Sequence, residues 1–208
     1  MIARLGLGFI GRSILCIAVF TFSIVTDSDA QDRKFHFGIN AAMVASQIDG
    51  DELRGFNKIG LQGGLVSGYS FNDQHWLHVG LEYTSFGSNK RNEDAEMSTE
   101  IGMQSINVVV AYSIRFGDSW EGDKRFRVIL GPKYQRIITV KSSDVNEDML
   151  HKDFIAGYVG FSYIFSEALM LDLAYTHSFS NILKEELIST NSLVPYYLTL
   201  GLTYYVFR

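Results

Sequence analysis

From residue 34 to the C-terminus, large apolar side chains recur at every second position. Period two sends successive side chains to opposite faces, which marks β-strands; no long stretch carries a helical period. Phe35, Phe37, Ile39, Ala41 and Met43 alternate with His36, Gly38, Asn40 and Ala42. The second run sets Ile59, Leu61, Leu65, Tyr69 and Phe71 against a face rich in glycine. Leu77, Val79, Leu81 and Tyr83 form the third, and Ile106, Val108, Val110, Tyr112, Ile114 and Phe116 the fourth. Phe126, Val128, Leu130 and Tyr134 make the fifth; Ile155, Val159, Phe161, Tyr163 and Phe165 the sixth. Leu169, Leu171, Leu173 and Tyr175 are followed by an eighth run, Tyr196, Leu198, Leu200, Leu202, Tyr204 and Val206. Each run can supply the ~9–11 tilted residues with which a strand crosses a bilayer.

The connections alternate in length. Residues 71–74 and 165–168 read as tight turns, and 117–124 is moderately short. Residues 46–57, 88–100, 141–152 and 180–193 are longer and polar. Short turns at one end and long loops at the other is the pattern of outer-membrane barrels. Hydrocarbon offers no water to backbone N–H and C=O groups, so a sheet there must close on itself. The sequence therefore predicts an all-β fold: an eight-stranded antiparallel transmembrane up-and-down β-barrel, with residues 196–207 closing the ring against the first strand. A soluble sandwich or a lipocalin-like barrel would share the alternation. The aromatics favour the membrane. Tyr83, Tyr134, Tyr175 and Tyr196 fall toward the long-loop ends, and Phe71, Phe116, Phe126, Phe165 and Tyr204 toward the short turns. They form two girdles at the heights of the two interfaces. Pro132 interrupts the fifth run and cannot donate a ladder hydrogen bond, which predicts a bulge at Gly131 and Pro132.

The first thirty residues read differently. Arg4 and Arg12 precede a mostly apolar stretch over 14–25, and Ser28 and Ala30 offer small residues for a peptidase. This is a cleaved signal peptide over 1–30, leaving a barrel domain over 31–208. A spanning helix needs about 20 apolar residues, which this stretch lacks. The expected location is the outer membrane of a Gram-negative bacterium, with both termini periplasmic. Gly6, Gly8 and Gly11 match a dinucleotide fingerprint, but no strand precedes them and no amphipathic helix follows. Cys16 is the sole cysteine and lies in the removed segment, after Leu15 and not after the small residue of a lipoprotein signal. The processed chain thus has no disulfide, thiolate metal site or cysteine nucleophile. A net charge of −5 with no basic patch argues against nucleic acid as a partner.

Five charged residues, Glu82, Arg115, Arg127, Lys133 and Asp172, share the parity of the polar face and should point into the lumen. Arg115 and Arg127 flank one turn and should be neighbours. An ion path is one reading. A salt-bridged polar core is favoured, because eight strands leave an interior that side chains can fill, and Tyr158, Tyr205 and Phe207 are expected to point inward as well. His36 and His78 are expected inward and isolated. With His75 and His151 they show no metal-ligand spacing, so no metal and no cofactor is expected. The stretch from His177 to Asn181 faintly resembles the His/Ser motif of lipid A deacylases. A Ser–His pair needs hydrogen-bond reach, yet Ser178 and Ser180 both fall on the face opposite His177 in a regular strand, so no catalytic residue is assigned. Carboxylates crowd the four long loops, a composition usual for a solvated rim. Residues 182–188 suggest a helical turn or two above the mouth.

Three stretches carry a family resemblance: residues 35–40 (FHFGIN), 56–65 (FNKIGLQGGL) and 81–87 (LEYTSFG). With them the chain resembles the PorT-like outer-membrane β-barrel family of Bacteroidetes-type bacteria, over residues 31–208 and most closely up to residue 90. The resemblance implies a non-enzymatic barrel with a role in protein secretion by the type IX system or in envelope assembly. Its partners would be outer-membrane lipid and envelope proteins that meet the four long loops or the periplasmic face. A narrow solute pore and a lipid-modifying enzyme are the alternatives.

Overall fold

The computed structural model describes residues 34–49, 56, 58–89, 100–118, 124–142, 147–184 and 193–207. The expected signal peptide lies outside these residues. Eight strands follow in order: β1 (Phe35–Asp49), β2 (Lys58–Ser70), β3 (His75–Asn89), β4 (Glu100–Asp118), β5 (Lys124–Ser142), β6 (Asp153–Ile164), β7 (Leu169–Ser178) and β8 (Val194–Phe207). Each pairs antiparallel with the next, and β8 pairs with β1, from Asp49↔Val194 to Phe37↔Phe207. The sheet has no free edge, as the backbone argument requires.

The outer face is the alternating set read from the sequence. Phe35, Ile39, Met43, Leu61, Leu65, Leu81, Ile106, Val110, Leu130, Ile155, Leu173 and Leu202 are all exposed. A soluble fold would bury such a band. The tight turns have side-chain reasons. Asn72 Oδ1 accepts hydrogen bonds from the backbone N–H of Gln74 (2.9 Å) and His75 (2.8 Å), and Ser166 Oγ accepts one from Leu169 N (3.1 Å). Gly117, the penultimate residue of β4, has a φ of 81°, which favours glycine.

The structure corrects several local expectations. The register of β5 passes Pro132 unshifted, from Val109↔Lys133 to Tyr112↔Leu130 on one side and through Pro132↔Gly157 on the other. No residue is inserted there. Pro132 turns its ring outward, and Gly131 lets β4 approach so closely that a Cβ would lie 2.1 Å from Val110 O. The irregularities fall elsewhere, between Gln104 and Ser105 on β4 and between Phe37 and Gly38 on β1. The second sets Phe207 opposite Phe37, on the outer face, and not inward as its parity suggests. The strands also run further than the expected loop bounds: β1 reaches Asp49, β3 reaches Asn89 and β5 reaches Ser142. Of residues 182–188, Ile182 to Lys184 are described. They form no helical turn, because Leu183 bridges to Leu150 beside a short 3-10 turn at Glu147–Met149.

Candidate functional site

Inward residues along a single strand give the axial order of the interior. On β3 they run Trp76, His78, Gly80, Glu82, Thr84, Phe86 from the short-turn end to the long-loop end. On β5 they run Arg127, Ile129, Gly131, Lys133, Gln135, Ile137. The lumen is accordingly built in three storeys.

At the short-turn end Trp76 is the platform. The Arg115 and Arg127 guanidinium carbons lie 4.1 and 4.9 Å from its ring centroid. The two arginines are direct cross-strand partners, as expected from the turn they flank. His36 packs on the same indole at 4.1 Å, and His78 lies nearly parallel to it at 6.0 Å. His78 Nε2 meets Ser113 Oγ at 2.7 Å. The inward histidines are therefore not isolated: an aromatic cluster with Tyr205 holds both.

The middle storey is polar. Lys133 Nζ sits 2.7 Å from Glu82 Oε2, with the side chains 0% and 7% exposed. Asn40 Nδ2 donates to Glu82 Oε1 at 3.1 Å, and Lys133 Nζ also faces the rings of Tyr158 and Tyr197. Burying two charges costs several kcal/mol each, offset only where geometry and further hydrogen bonds are good. Lys133 Nζ also donates to Gln62 Oε1 (3.4 Å), which ties the pair to a wider polar network. Thr84 Oγ1 donates to Gln62 Oε1 and accepts from Asn107 Nδ2, and Ser105 Oγ donates to Asn107 Oδ1. Between this network and the tryptophan platform, small residues such as Ala42, Gly80, Ala111 and Gly201 leave a cavity of about 60 Å³. Asp172 borders it and accepts hydrogen bonds from Ser162 Oγ (2.5 Å) and Thr203 Oγ1 (2.6 Å).

The long-loop storey is apolar. Val44, Ile48, Phe86, Ile101, Met103, Ile137, Phe154 and Tyr197 converge from the strands, and Leu150, Ile182 and Leu193 from the loops, into one buried cluster. It fills the lumen where water would otherwise enter.

The five charged residues thus occupy three places and not one network: Lys133 with Glu82, Arg115 with Arg127, and Asp172 apart on the β6–β8 wall. Trp76, the Gln62–Thr84–Asn107 network and the apolar plug were missed. Trp76 shares the parity of Glu82, so its direction was readable; its partners lie on other strands. The plug residues also have inward parity, but their apolar character hid them within the hydrophobic runs.

On the outside, Tyr83, Tyr134, Tyr175, Phe116, Phe126, Phe165 and Tyr204 are exposed, and Tyr196 is half-buried. Phe116 and Phe126 stack across β4 and β5 at 5.9 Å, and Tyr196 stacks on His177 at 5.9 Å. Tyr134 donates to Asp153, which also pairs with Arg136 at 3.1 Å. His177 Nδ1 meets the carbonyl of Ser178 (2.7 Å), while Ser178 Oγ donates to the carbonyl of Ser180 (2.8 Å). His177 faces out and Ser178 faces in, so imidazole and hydroxyl do not meet.

A closed eight-stranded ring with an apolar exterior is a membrane architecture, and the comparison with known families agrees. The profile described as "Outer membrane protein beta-barrel domain" matches residues 14–205. The chain belongs to this outer-membrane β-barrel family. Its exterior band accordingly faces lipid in the bacterial outer membrane. Among solved structures, Ail, the attachment invasion locus protein of Yersinia pestis, is 14% identical with a TM-score of 0.50, covering 83% of this chain and 99% of that one. Ail has also been solved in complex with the heparin analogue sucrose octasulfate. Neisserial surface protein A is 17% identical with a TM-score of 0.49, covering 82% of this chain and 96% of that one. These likenesses concern the fold. No curated protein matches the chain.

Proposed function

We propose that this outer-membrane barrel is a non-conducting, non-enzymatic scaffold that works through its long loops or its periplasmic face, in protein secretion or envelope assembly. The observation that carries the reading is the blocked lumen: the buried Lys133–Glu82 pair is followed along the axis by the apolar cluster around Phe86, Met103 and Leu150. A pore needs a wetted path, and that cluster is built almost wholly of apolar side chains, with the Tyr197 hydroxyl turned to Gln135. The separated His177 and Ser178 side chains speak against the deacylase alternative. The secretion role rests on the PorT-like resemblance of residues 35–40, 56–65 and 81–87. In this reading residues 1–30 are removed on export, both termini are periplasmic, the long loops face outward, the lumen charges are structural and the aromatic girdles seat the barrel in lipid.

Conductance in planar bilayers tests the blocked lumen. The folded protein should give no steady open level, and a persistent channel would overturn the reading. Secretion is tested by comparing the exported proteins of a deletion strain with those of its parent. A selective loss of cargo is expected, and an unchanged profile removes that role.

A further inference from the structure

Arg127 is the most deeply buried lumen cation without a counter-charge in contact among the described residues. Its side chain is 1% exposed, and its Nε and Nη2 have no hydrogen-bond partner. It reaches the Tyr205 hydroxyl and lies above the Trp76 ring. Among the described residues no carboxylate pairs with it. Both candidates are committed elsewhere: Glu82 to Lys133 and Asn40, and Asp172 to Ser162 and Thr203. Arg127 borders the same cavity of about 60 Å³ as His78, Asp172 and Tyr205. A water needs about 10–15 Å³ of such space, so the cavity suits a few waters or one small ion. Arg115, half-buried, stands beside Arg127 toward the short-turn mouth. A buried guanidinium with free N–H groups is costly unless something accepts from it.

We infer that this cavity is a binding site for a small inorganic anion, a halide or a compact oxyanion. The free N–H groups of Arg127 hold the anion, Arg115 draws it in from the short-turn mouth, and Trp76 forms the floor beneath both guanidinium groups. Glu82 also borders the cavity, with its charge paired to Lys133, and the rest of the wall is neutral apart from Asp172 and Arg127. Asp172, on the same cavity, keeps the affinity modest. Its oxygens are turned to hydroxyl donors, but its charge still opposes an anion.

Trp76 makes the site readable. The chain has two tryptophans, so a Trp120→Phe background leaves Trp76 alone. The barrel, folded in micelles and verified by its heat-modifiable gel mobility, is titrated with iodide at constant ionic strength, with gluconate, too bulky for the cavity, as the balancing anion. Saturable quenching of Trp76 is expected, weakened about tenfold or more in Arg127→Gln, because charge-assisted hydrogen bonds dominate anion affinity. Quenching by neutral acrylamide should not differ between the two proteins. Asp172→Asn supplies an independent arm that keeps Arg127 intact, and it should tighten iodide binding severalfold. Quenching that rises linearly without saturation, or that is the same in Arg127→Gln, or that ignores Asp172→Asn, would show that the cavity holds only water and would overturn the site.

Discussion

At the residue scale, the decisive fact is that Lys133 and Glu82 are buried together. Neither has water to fall back on, so each makes the other's ionised form tenable. Removing one partner leaves an uncompensated charge, which typically costs about 3–5 kcal/mol, whereas replacing both by apolar or neutral groups of similar volume is often close to neutral. Lys133→Met preserves the length of the side chain and the Tyr158 and Tyr197 contacts but strands Glu82. It should lower stability by about 3–5 kcal/mol, read as the shift of the urea midpoint for folding into vesicles. The double variant Lys133→Met, Glu82→Gln should recover most of that loss. If the single and double variants are equally unstable, the pair is not the source of the effect. The inward direction of these two residues followed from parity alone. Their contact did not, because it depends on the register of β3, β4 and β5. In sequence they are two of five inward charges with nothing to say which pair meets.

At the element scale, the seam between β1 and β8 determines whether the ring closes. Gly201 stands opposite Ala42 across this seam and opposite Asp172 on β7. A Cβ at Gly201 would lie 2.4 Å from Ala41 O and 2.4 Å from Ala42 Cβ. Those atoms belong to the backbone or to its first carbon, so they can give way only if the strands separate. Gly201→Ala should therefore destabilise by about 1–3 kcal/mol, the usual cost of overpacking. Gly63→Ala is the control: its Cβ would have Asn40 O as its nearest neighbour at 3.6 Å, and the urea midpoint should move little or rise. Comparable losses at both sites would count against the tight seam. The strands themselves were legible because lipid imposes one demand on every outward position, and a two-residue period makes that demand visible. Pro132 shows the limit. A proline in a strand predicts a bulge by rule, yet the β4–β5 ladder skips the two positions at Gly131 and Pro132 and resumes in the same register, which only the neighbouring strand reveals. His36 and Trp76 show it too: their contact reaches from β1 to β3 across the ring.

At the scale of the whole molecule, strand length and exterior chemistry disagree, and the difference identifies a second part of the barrel. β4 and β5 are 19 residues each, about 60 Å at ~3.3 Å per residue and about 45 Å along the axis at the usual tilt. The apolar band of such barrels is only ~25 Å tall. On β4 the large exposed apolar residues run from Ile106 to Phe116 and stop there. Residues 100–105 of β4 thus stand beyond the band at the long-loop end, with Ile101 and Met103 turned inward against Phe86, Ile137 and Leu150. This projecting part is held as a soluble protein is held, by a dry core inside. The membrane-embedded part has its apolar surface outside and its polar network within. One chain therefore reverses its inside–outside rule partway along strands such as β3 and β4. The sequence shows this faintly, since the alternation continues while its meaning changes. The reversal has a measurable consequence. If the core sustains the rim, the amides of Met103, Ile137 and Phe86 should exchange with solvent slowly in nanodiscs, close to those of Val108 and Val110 within the band. Phe86→Ala should remove about 3–5 kcal/mol of local stability and accelerate exchange at Ile101, Met103 and Ile137, while Val108 and Val110 keep their protection. Fast exchange at the rim of the unaltered protein would mean that the long-loop end frays and that the plug does not hold the lumen shut.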